Sequence, residues 1–322
     1  MKVVSLFSGA GGFDLGFIQA GHQVIWANDI DKHCAATYQH NIGQHFILGD
    51  IKDISTSQIP NCDIVIGGFP CQGFSQANRN RNVEDGRNKL YLEFVRVVKD
   101  KQPKYFVAEN VRGLLSLGNG EVIKMIVKDF QDIGYKVDYK VLDAADFGVP
   151  QHRKRVIIIG IRNDIFNGKF PFPVPTHAQK AHFLYQKWVT IGEALANIPE
   201  PDSKHDLKNH IYSKYKVTDR NFTGHRKIDP NKPSTTILAK DTGGNVATHH
   251  PNNHRRMSVR ESAMIQTFPM DFEFLGSMGN MYRQIGNAVA VLFAQQIGTA
   301  FADLEQVASN QTLKSQQMVL TL

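Results

Sequence analysis

The sequence predicts an α/β fold in which a parallel sheet carries helices on its faces, followed by a smaller, basic and irregular unit. Three observations predict it. Over the first ~165 residues, short apolar runs alternate with amphipathic segments. Phe170-Pro-Phe-Pro-Val-Pro175 can continue neither a helix nor a central strand, so it marks a boundary. Beyond it, from His177 to about Arg255, the chain is polar, basic and weakly periodic.

The predicted strands are Val3–Leu6, Gln23–Ala27, Asp63–Ile66, Tyr105–Ala108 and Val156–Ile161, each a short apolar run. Lys136–Leu142 alternates polar with apolar residues and is predicted as an additional strand near an edge. Phe13–Ala20 has a helical pattern. Leu90–Lys99 and Glu121–Ile133 place apolar residues three and four apart, as helices packed on a sheet do. Two turn-rich patches follow, Asn221–Lys232 and Lys240–Asn253, before helical periodicity returns at Ser258–Gln266 and Ala288–Leu304. The last ~15 residues are rich in Gln and Ser and are expected to fray. No internal repeat is present. The expected division is 1–176 for the sheet, 177–255 for the basic unit, and 256–322 for a segment packing back on the sheet.

With 322 residues, 42% hydrophobic and 21% charged, the chain can bury one large core and a smaller one. No run of 18 or more apolar residues suggests a membrane span. The opening MKVVSLFSGAGG reads as a first strand and turn, since a signal peptide needs a longer apolar core and a cleavage site. Cys34, Cys62 and Cys71 are odd in number and lack CxxC pairing. Disulfides and a zinc site are therefore poorly supported, no metal is expected, and a reducing cytoplasm fits best. The net charge is +7, and Asp202–Arg260 alone holds 12 Lys and Arg against 5 Asp. That stretch accounts for the whole surplus. It suits a polyanion partner, since basic side chains can replace the counterions around phosphates, and it suits a solvated lysine-rich surface equally well.

Phe7-Ser-Gly-Ala-Gly-Gly12 lies between a strand and a helical pattern, where Gly9, Gly11 and Gly12 let the backbone turn tightly and approach a ligand. The next strand ends in Asn28-Asp29, and an acid at that tip can accept hydrogen bonds from ribose hydroxyls. Asp50-Ile51 follows another short apolar run and is placed to hold an adenine. The turn and the acid one βα unit later point to a nucleotide-like cofactor. The G-x-G-G spacing argues against a dinucleotide.

Ile64–Ser75 is a buried strand running out into a glycine-flanked turn, with Pro70 fixing the backbone just before Cys71. The carboxyl end of a central strand in an open α/β sheet is where ligands bind. An inert buried cysteine is the default for a lone thiol. A second strand tip argues against that default: Tyr105–Val111 places Glu109-Asn110 directly after an apolar run. A thiol and a carboxyl together suit one reaction. Carbon 5 of cytosine is a poor nucleophile until a thiolate adds at C6 and makes it enamine-like. A carboxylic acid on N3, best with a pKa near neutrality, takes up the charge that develops in the ring.

These motifs resemble the DNA (cytosine-5) methyltransferase family, in its compact bacterial restriction–modification form. The resemblance runs collinearly through Phe7–Gly12, Asn28-Asp29, Gly49-Asp-Ile51, Gly68-Phe-Pro-Cys-Gln72, Glu109-Asn-Val111, Gln151-His-Arg-Lys-Arg155, Arg260-Glu261 with Gln266-Thr-Phe-Pro269, and Gly286-Asn-Ala-Val289. It implies a Rossmann-like, S-adenosylmethionine-dependent methyltransferase sheet with a target-recognition domain at 177–255. Phe7 is then expected to stack on the adenine and Asp29 to hold the ribose. Ile30, Asp50, Ile51, Pro70 and Leu90 are expected around the cofactor, with Asn287 and Val289 near its methionine end.

Cys71, Glu109 and Arg153 form the implied catalytic set, with Arg153 steadying the target base and Arg155 touching phosphate or structure. A basic strand edge explains both arginines equally well on spacing alone. Arg260-Glu261 resembles a helix-borne ion pair that supports the fold. Ala290 departs from the proline common after Gly-Asn-Ala-Val, and Met264 and Thr267 replace a common arginine and glycine. All three are supporting positions.

The target carbon is inaccessible inside a duplex, so the base must be flipped. Gln72–Lys89 reads as a polar loop closing over DNA with Arg79, Arg81 and Arg87 near phosphates, or as a plain solvated loop. Recognition is expected from the basic unit, with His225, Arg226, Lys227, Thr236 and Lys240 as DNA contacts, though basic residues more often touch phosphate than bases. The expected partner is double-stranded DNA, bound by a monomer with no membrane association. A restriction endonuclease is an expected functional companion without physical contact. Three rivals remain. An RNA methyltransferase branch shares these motifs but carries a late Cys-Phe-Thr that is missing here. A catalytically dead homologue is expected to lose the thiol or the glycines. A nicotinamide dehydrogenase leaves Cys71, Glu109 and the basic unit unexplained.

Overall fold

A computed structural model of the chain describes residues 1–70, 90–214, 228–239, 249–251 and 255–319, with side chains described as far as residue 306. Its centre is a seven-stranded sheet. In chain order the strands are β1 (Lys2–Leu6), β2 (Gln23–Asp29), β3 (Phe46–Leu48), β4 (Ile64–Gly67), β5 (Tyr105–Val111), β6 (Tyr135–Asp143) and β7 (Lys154–Arg162). They lie side by side as β3-β2-β1-β4-β5-β7-β6. The middle strands are buried on both faces, which is why they read as unbroken apolar runs. β6 sits at the edge, as its alternation predicts.

One expectation is corrected: the sheet is mixed, not parallel. β7 runs antiparallel to both β5 and β6. Residues 144–153 alone join β6 to β7, and a parallel return needs a crossover of about a dozen residues or more. The strands from β1 to β5 pair in parallel.

Helices cover both faces. α1 (Gly12–Gln19), α2 (Lys32–Asn41) and, late in the chain, α8 (Val291–Val319) bury Phe13, Phe17, Tyr38, Phe293 and Phe301 on one side. α3 (Leu90–Lys101) and α4 (Glu121–Asp132) bury Phe94, Val97, Ile126 and Phe130 on the other, where Phe130 stacks on Phe106 with ring centres 4.1 Å apart. The sheet is thus the middle of three layers. The most apolar 18-residue window within 278–306 has the hydropathy of a membrane-crossing helix, but 56% of it is buried inside the protein, as in a core helix.

A third apolar cluster joins α5 (Ile191–Leu195), α6 (Val259–Ile265) and α7 (Met278–Asn287) to Ile228 and Ile237. A short parallel pair, β8 (His177–Ala178) and β9 (Gln186–Lys187), precedes it. α6 starts at a capping box in which Ser258 accepts from the Glu261 N–H and Glu261 accepts from the Ser258 N–H. The expected Arg260–Glu261 pair is not formed. Successive residues on a helix point to different sides. Glu261 instead binds Arg255 through two contacts of 2.7 and 2.8 Å, and Arg260 donates to the carbonyls of Lys208, Pro269 and Phe272.

Register brings the functional ends together. Leu6 pairs with Asn28 and with Gly67, and Gly67 pairs with Ala108. The residues that follow each of these strands therefore meet along one edge. Because β7 is reversed, it contributes its beginning to that same edge, with Arg155 opposite Val111.

Candidate active site

Along this edge lies a cleft of about 940 Å³. Phe7, at its floor, takes a left-handed φ of 55°. That conformation is strained for a bulky residue, and such strain clusters at functional sites. Gly9 shares the left-handed φ, and its N–H donates to Asp29 Oδ2 at 2.9 Å. A Cβ on Gly9 would meet nothing within 4 Å, so this glycine faces the open cleft.

Gly11 and Gly12, expected beside the ligand, are not among the residues lining the cleft. A Cβ on Gly11 would lie 2.2 Å from Ile42 Cδ1, and one on Gly12 would lie 2.4 Å from the Val289 carbonyl oxygen. They are glycines because protein packs against them. Asp14, two residues on, is buried. It accepts from the hydroxyls of Ser5 at 2.6 Å and Tyr38 at 2.7 Å, and burial pushes its carboxyl up to about 6.

Asp29 accepts from the N–H groups of Gly9 and Asp31, and burial raises its pKa. Ile30 beside it is 68% exposed at the rim. Asp50 caps a short helical turn by accepting from the Lys52 N–H, and Ile51 is buried behind it. Pro70, Leu90, Asn287 and Val289 line the remaining walls. Ten of the twelve expected cofactor residues thus surround one cavity. Among the described residues the lining cations are Lys52 and Arg283, and Arg283 is tied to Asp31 by a 2.9 Å ion pair.

Glu109 lines the other end of the cleft. Its carboxylate lies 2.6 Å from Arg155 Nε, with the two side chains 13% and 11% exposed. Gly68 leaves room for it, since a Cβ there would sit 3.1 Å from Glu109 Oε2. Asn110 donates to the Phe69 carbonyl at 3.0 Å and so fixes the turn leading into Pro70. Cys71 itself lies outside the described residues, as do Arg79, Arg81, Arg87, His225, Arg226, Lys227 and Lys240.

The two arginines exchange their expected places. Arg155 is on Glu109, while Arg153 is 3% exposed and donates to the carbonyls of Ile237, Gly286 and Ala288. Thr236 donates to the His152 carbonyl, leaving its oxygen able to accept from another donor. Sequence reasoning missed Asp31, Cys34 and Arg283 on the cleft wall. Asp31 had a readable signal, because it caps α2 by accepting from the His33 N–H. Among the described residues no group of three or more His, Cys, Asp or Glu is placed to hold a metal ion.

The description C-5 cytosine-specific DNA methylase matches residues 1–302. The chain belongs to this family. Two similar relatives are the Type II methyltransferase M.NgoFVII of Neisseria gonorrhoeae and M.FnuDI of Fusobacterium nucleatum. The first is 39% identical, covering 99% of this chain and 92% of its own; the second is 37% identical, covering 95% and 97%. Among solved structures, the methylase shares its fold with the Dnmt2 methyltransferase of S. pombe, at a TM-score of 0.69 and 22% identity over 94% of this chain and 99% of that one. EhMeth of Entamoeba histolytica gives 0.70 and 19% over 94% and 98%. The methylase is therefore a DNA (cytosine-5) methyltransferase of the S-adenosylmethionine-using type, with DNA as its substrate.

Proposed function

We propose that this enzyme methylates carbon 5 of a flipped cytosine in a specific duplex sequence through a covalent Cys71 adduct. The observation that carries the reading is a single cleft. It is lined at one end by Phe7, Asp29 and Asp50, and at the other by Glu109 and by the Gly68–Pro70 turn that leads into Cys71. The first end fits the cofactor: the Phe7 ring and Asp50 for adenine, the Asp29 carboxylate for ribose hydroxyls, and an open space where Gly9 lacks a side chain. When bound there, S-adenosylmethionine supplies an electrophilic methyl group.

The chain's own residues do the rest. The Cys71 thiolate adds to C6 of cytosine and breaks its aromaticity. Glu109 holds a proton at N3, and Arg155 fixes the direction of that carboxyl. C5 gains the electron density that accepts a methyl group, and departure of the C5 proton lets the sulfur leave. Arg79, Arg81 and Arg87 are proposed at phosphates. Residues 177–255 are proposed to read the sequence through His225, Arg226, Lys227, Thr236 and Lys240, apart from the catalytic 1–176 and the returning 256–322. The proposed setting is a monomer in a bacterial cytoplasm, protecting host DNA from a restriction endonuclease it does not touch.

The test is a duplex with 5-fluorocytosine at the target, found by bisulfite sequencing of DNA from expressing cells. With cofactor present, a covalent protein–DNA complex stable to denaturant is expected, and Cys71→Ser should abolish it. Turnover by Cys71→Ser, or no trapped complex with wild type, would end the covalent mechanism.

A further inference from the structure

We propose that Arg153 is a positioning residue that sets the cofactor wall against the base pocket, and so keeps methyl transfer in step with activation of the cytosine. The inference rests on the reading of the cleft given above.

Gln151 bridges to Ser234 just ahead of β7, and Gln151, Arg153 and Arg155 stand two residues apart, the spacing of side chains on one side of an extended chain. Arg155 grips Glu109 at the base end. Two residues earlier, Arg153 reaches the other end. Its Nη2 donates to the carbonyls of Gly286 at 2.8 Å and Ala288 at 3.0 Å, which flank the cleft residue Asn287. Its Nη1 donates to the Ile237 carbonyl at 3.1 Å.

Gln151 and Gln266 bind the same segments. Gln266 Nε2 donates to the carbonyls of Ile285 and Ala288, and Gln151 donates to Gln266 while accepting from the Ile237 N–H. At Gly286 the two backbones touch, because a Cβ there would lie 2.4 Å from the Leu238 carbonyl. One short stretch therefore fixes the cofactor wall, the 237–239 segment and the base-pocket carboxylate relative to one another.

Stability alone does not explain a cation here. Arg153 is buried, and among the described residues no carboxylate pairs with it; burial pulls its pKa down to about 9. Among the described residues its Nε has no partner. A buried charge held only by carbonyls is expensive, and apolar side chains of similar volume would fill the same space at less cost. What an apolar residue cannot do is hold three carbonyls in a fixed fork. Lysine cannot either, being a point charge on a flexible stem. Methyl transfer needs this geometry, since a misplacement of about 1 Å costs on the order of a hundredfold in rate.

The test uses target duplex carrying tritium at cytosine C5, with S-adenosylmethionine present and absent. Thiolate addition at C6 lets C5 take a proton from water and lose the tritium before the thiol leaves, so exchange reports activation without transfer. With cofactor, wild type should release one tritium per methyl transferred. In Arg153→Lys that ratio should rise about tenfold or more, with exchange persisting when cofactor is absent. A ratio that stays at one, whether the rates hold or fall, overturns the proposal. If Arg153→Lys does not fold, Gln266→Met removes part of the same grip, and an unchanged ratio there is equally fatal. Wild type releasing no tritium under any condition overturns the reading of the cleft itself, a separate result.

Discussion

Arg155 holds Glu109 from the neighbouring strand through a 2.6 Å ion pair, delivered by a register that sets Arg155 opposite Val111. Both side chains are nearly buried, so each is the other's main compensation for lost water. The pair separates two effects that a single substitution would confuse.

Glu109→Gln should lower the single-turnover methylation rate by about 10²–10⁴-fold, the usual worth of a positioned acid–base group. Arg155→Met should also lower stability in urea, by on the order of 2 kcal/mol, because it strands a carboxylate. The double variant should regain most of that stability and none of the rate. Near-normal rates in Glu109→Gln would remove the carboxyl from the chemistry.

Gly9 and Gly12 should respond in opposite ways. Gly9→Ala places a methyl group in the open cleft, so the Michaelis constant for cofactor should rise while stability falls by only about 1 kcal/mol for the left-handed φ. Gly12→Ala drives a Cβ into the Val289 carbonyl and should cost about 1–3 kcal/mol with a smaller effect on cofactor binding per unit of stability lost. Urea unfolding beside cofactor titration separates the two. Equal behaviour of the two variants would sink the distinction.

Asp14 should leave a signature in the pH dependence of stability. Its folded carboxyl titrates at about 6 against 3.8 for the free group, chiefly because it is buried. The folded state keeps a proton that the unfolded chain has released, so stability falls as pH climbs from about 4 to about 6. The drop attributable to Asp14 is about 3 kcal/mol. Asp14→Asn should flatten the urea midpoint across that window; an unaltered slope would show that Asp14 does not titrate there.

Salt should report the basic unit. The logarithm of DNA affinity should fall linearly with the logarithm of salt concentration, and Arg226→Ala or Lys227→Ala should each reduce the slope by about 1 if they meet phosphate. Anisotropy titrations between low and moderate salt measure this. A wild-type slope in both variants places these residues off the backbone.

The sequence carried the central strands because Ile64–Gly67 and Val156–Ile161 are buried on both faces and so cannot vary in polarity. It missed β3, where Ile47 and Leu48 are exposed, and α2, whose polar KHCAATYQHN hides a buried face made of Cys34, Ala35, Thr37 and Tyr38. It missed α5 despite the readable Thr190-x-x-Glu193 capping box. Strand direction left no trace in the periodicity of β7. Cleft residues such as Phe7, Asp29 and Glu109 were legible because polar or glycine-rich tips after apolar runs are unusual. Which arginine meets Glu109 was not, since residues 153 and 155 share a side and only the pairing with β5 decides between them.

The reversal of β7 also makes the enzyme unequally tolerant of changes in length. Its guanidinium arrives at the start of a strand, so one residue added or deleted in 144–153 shifts the reach of Arg155, while the same change in 163–170 falls after the strand is anchored. Insertion scanning with a methylation readout should find the first connection intolerant and the second permissive. An evolving lineage could then lengthen its outer loops freely, but it would have to conserve the count of that one hairpin.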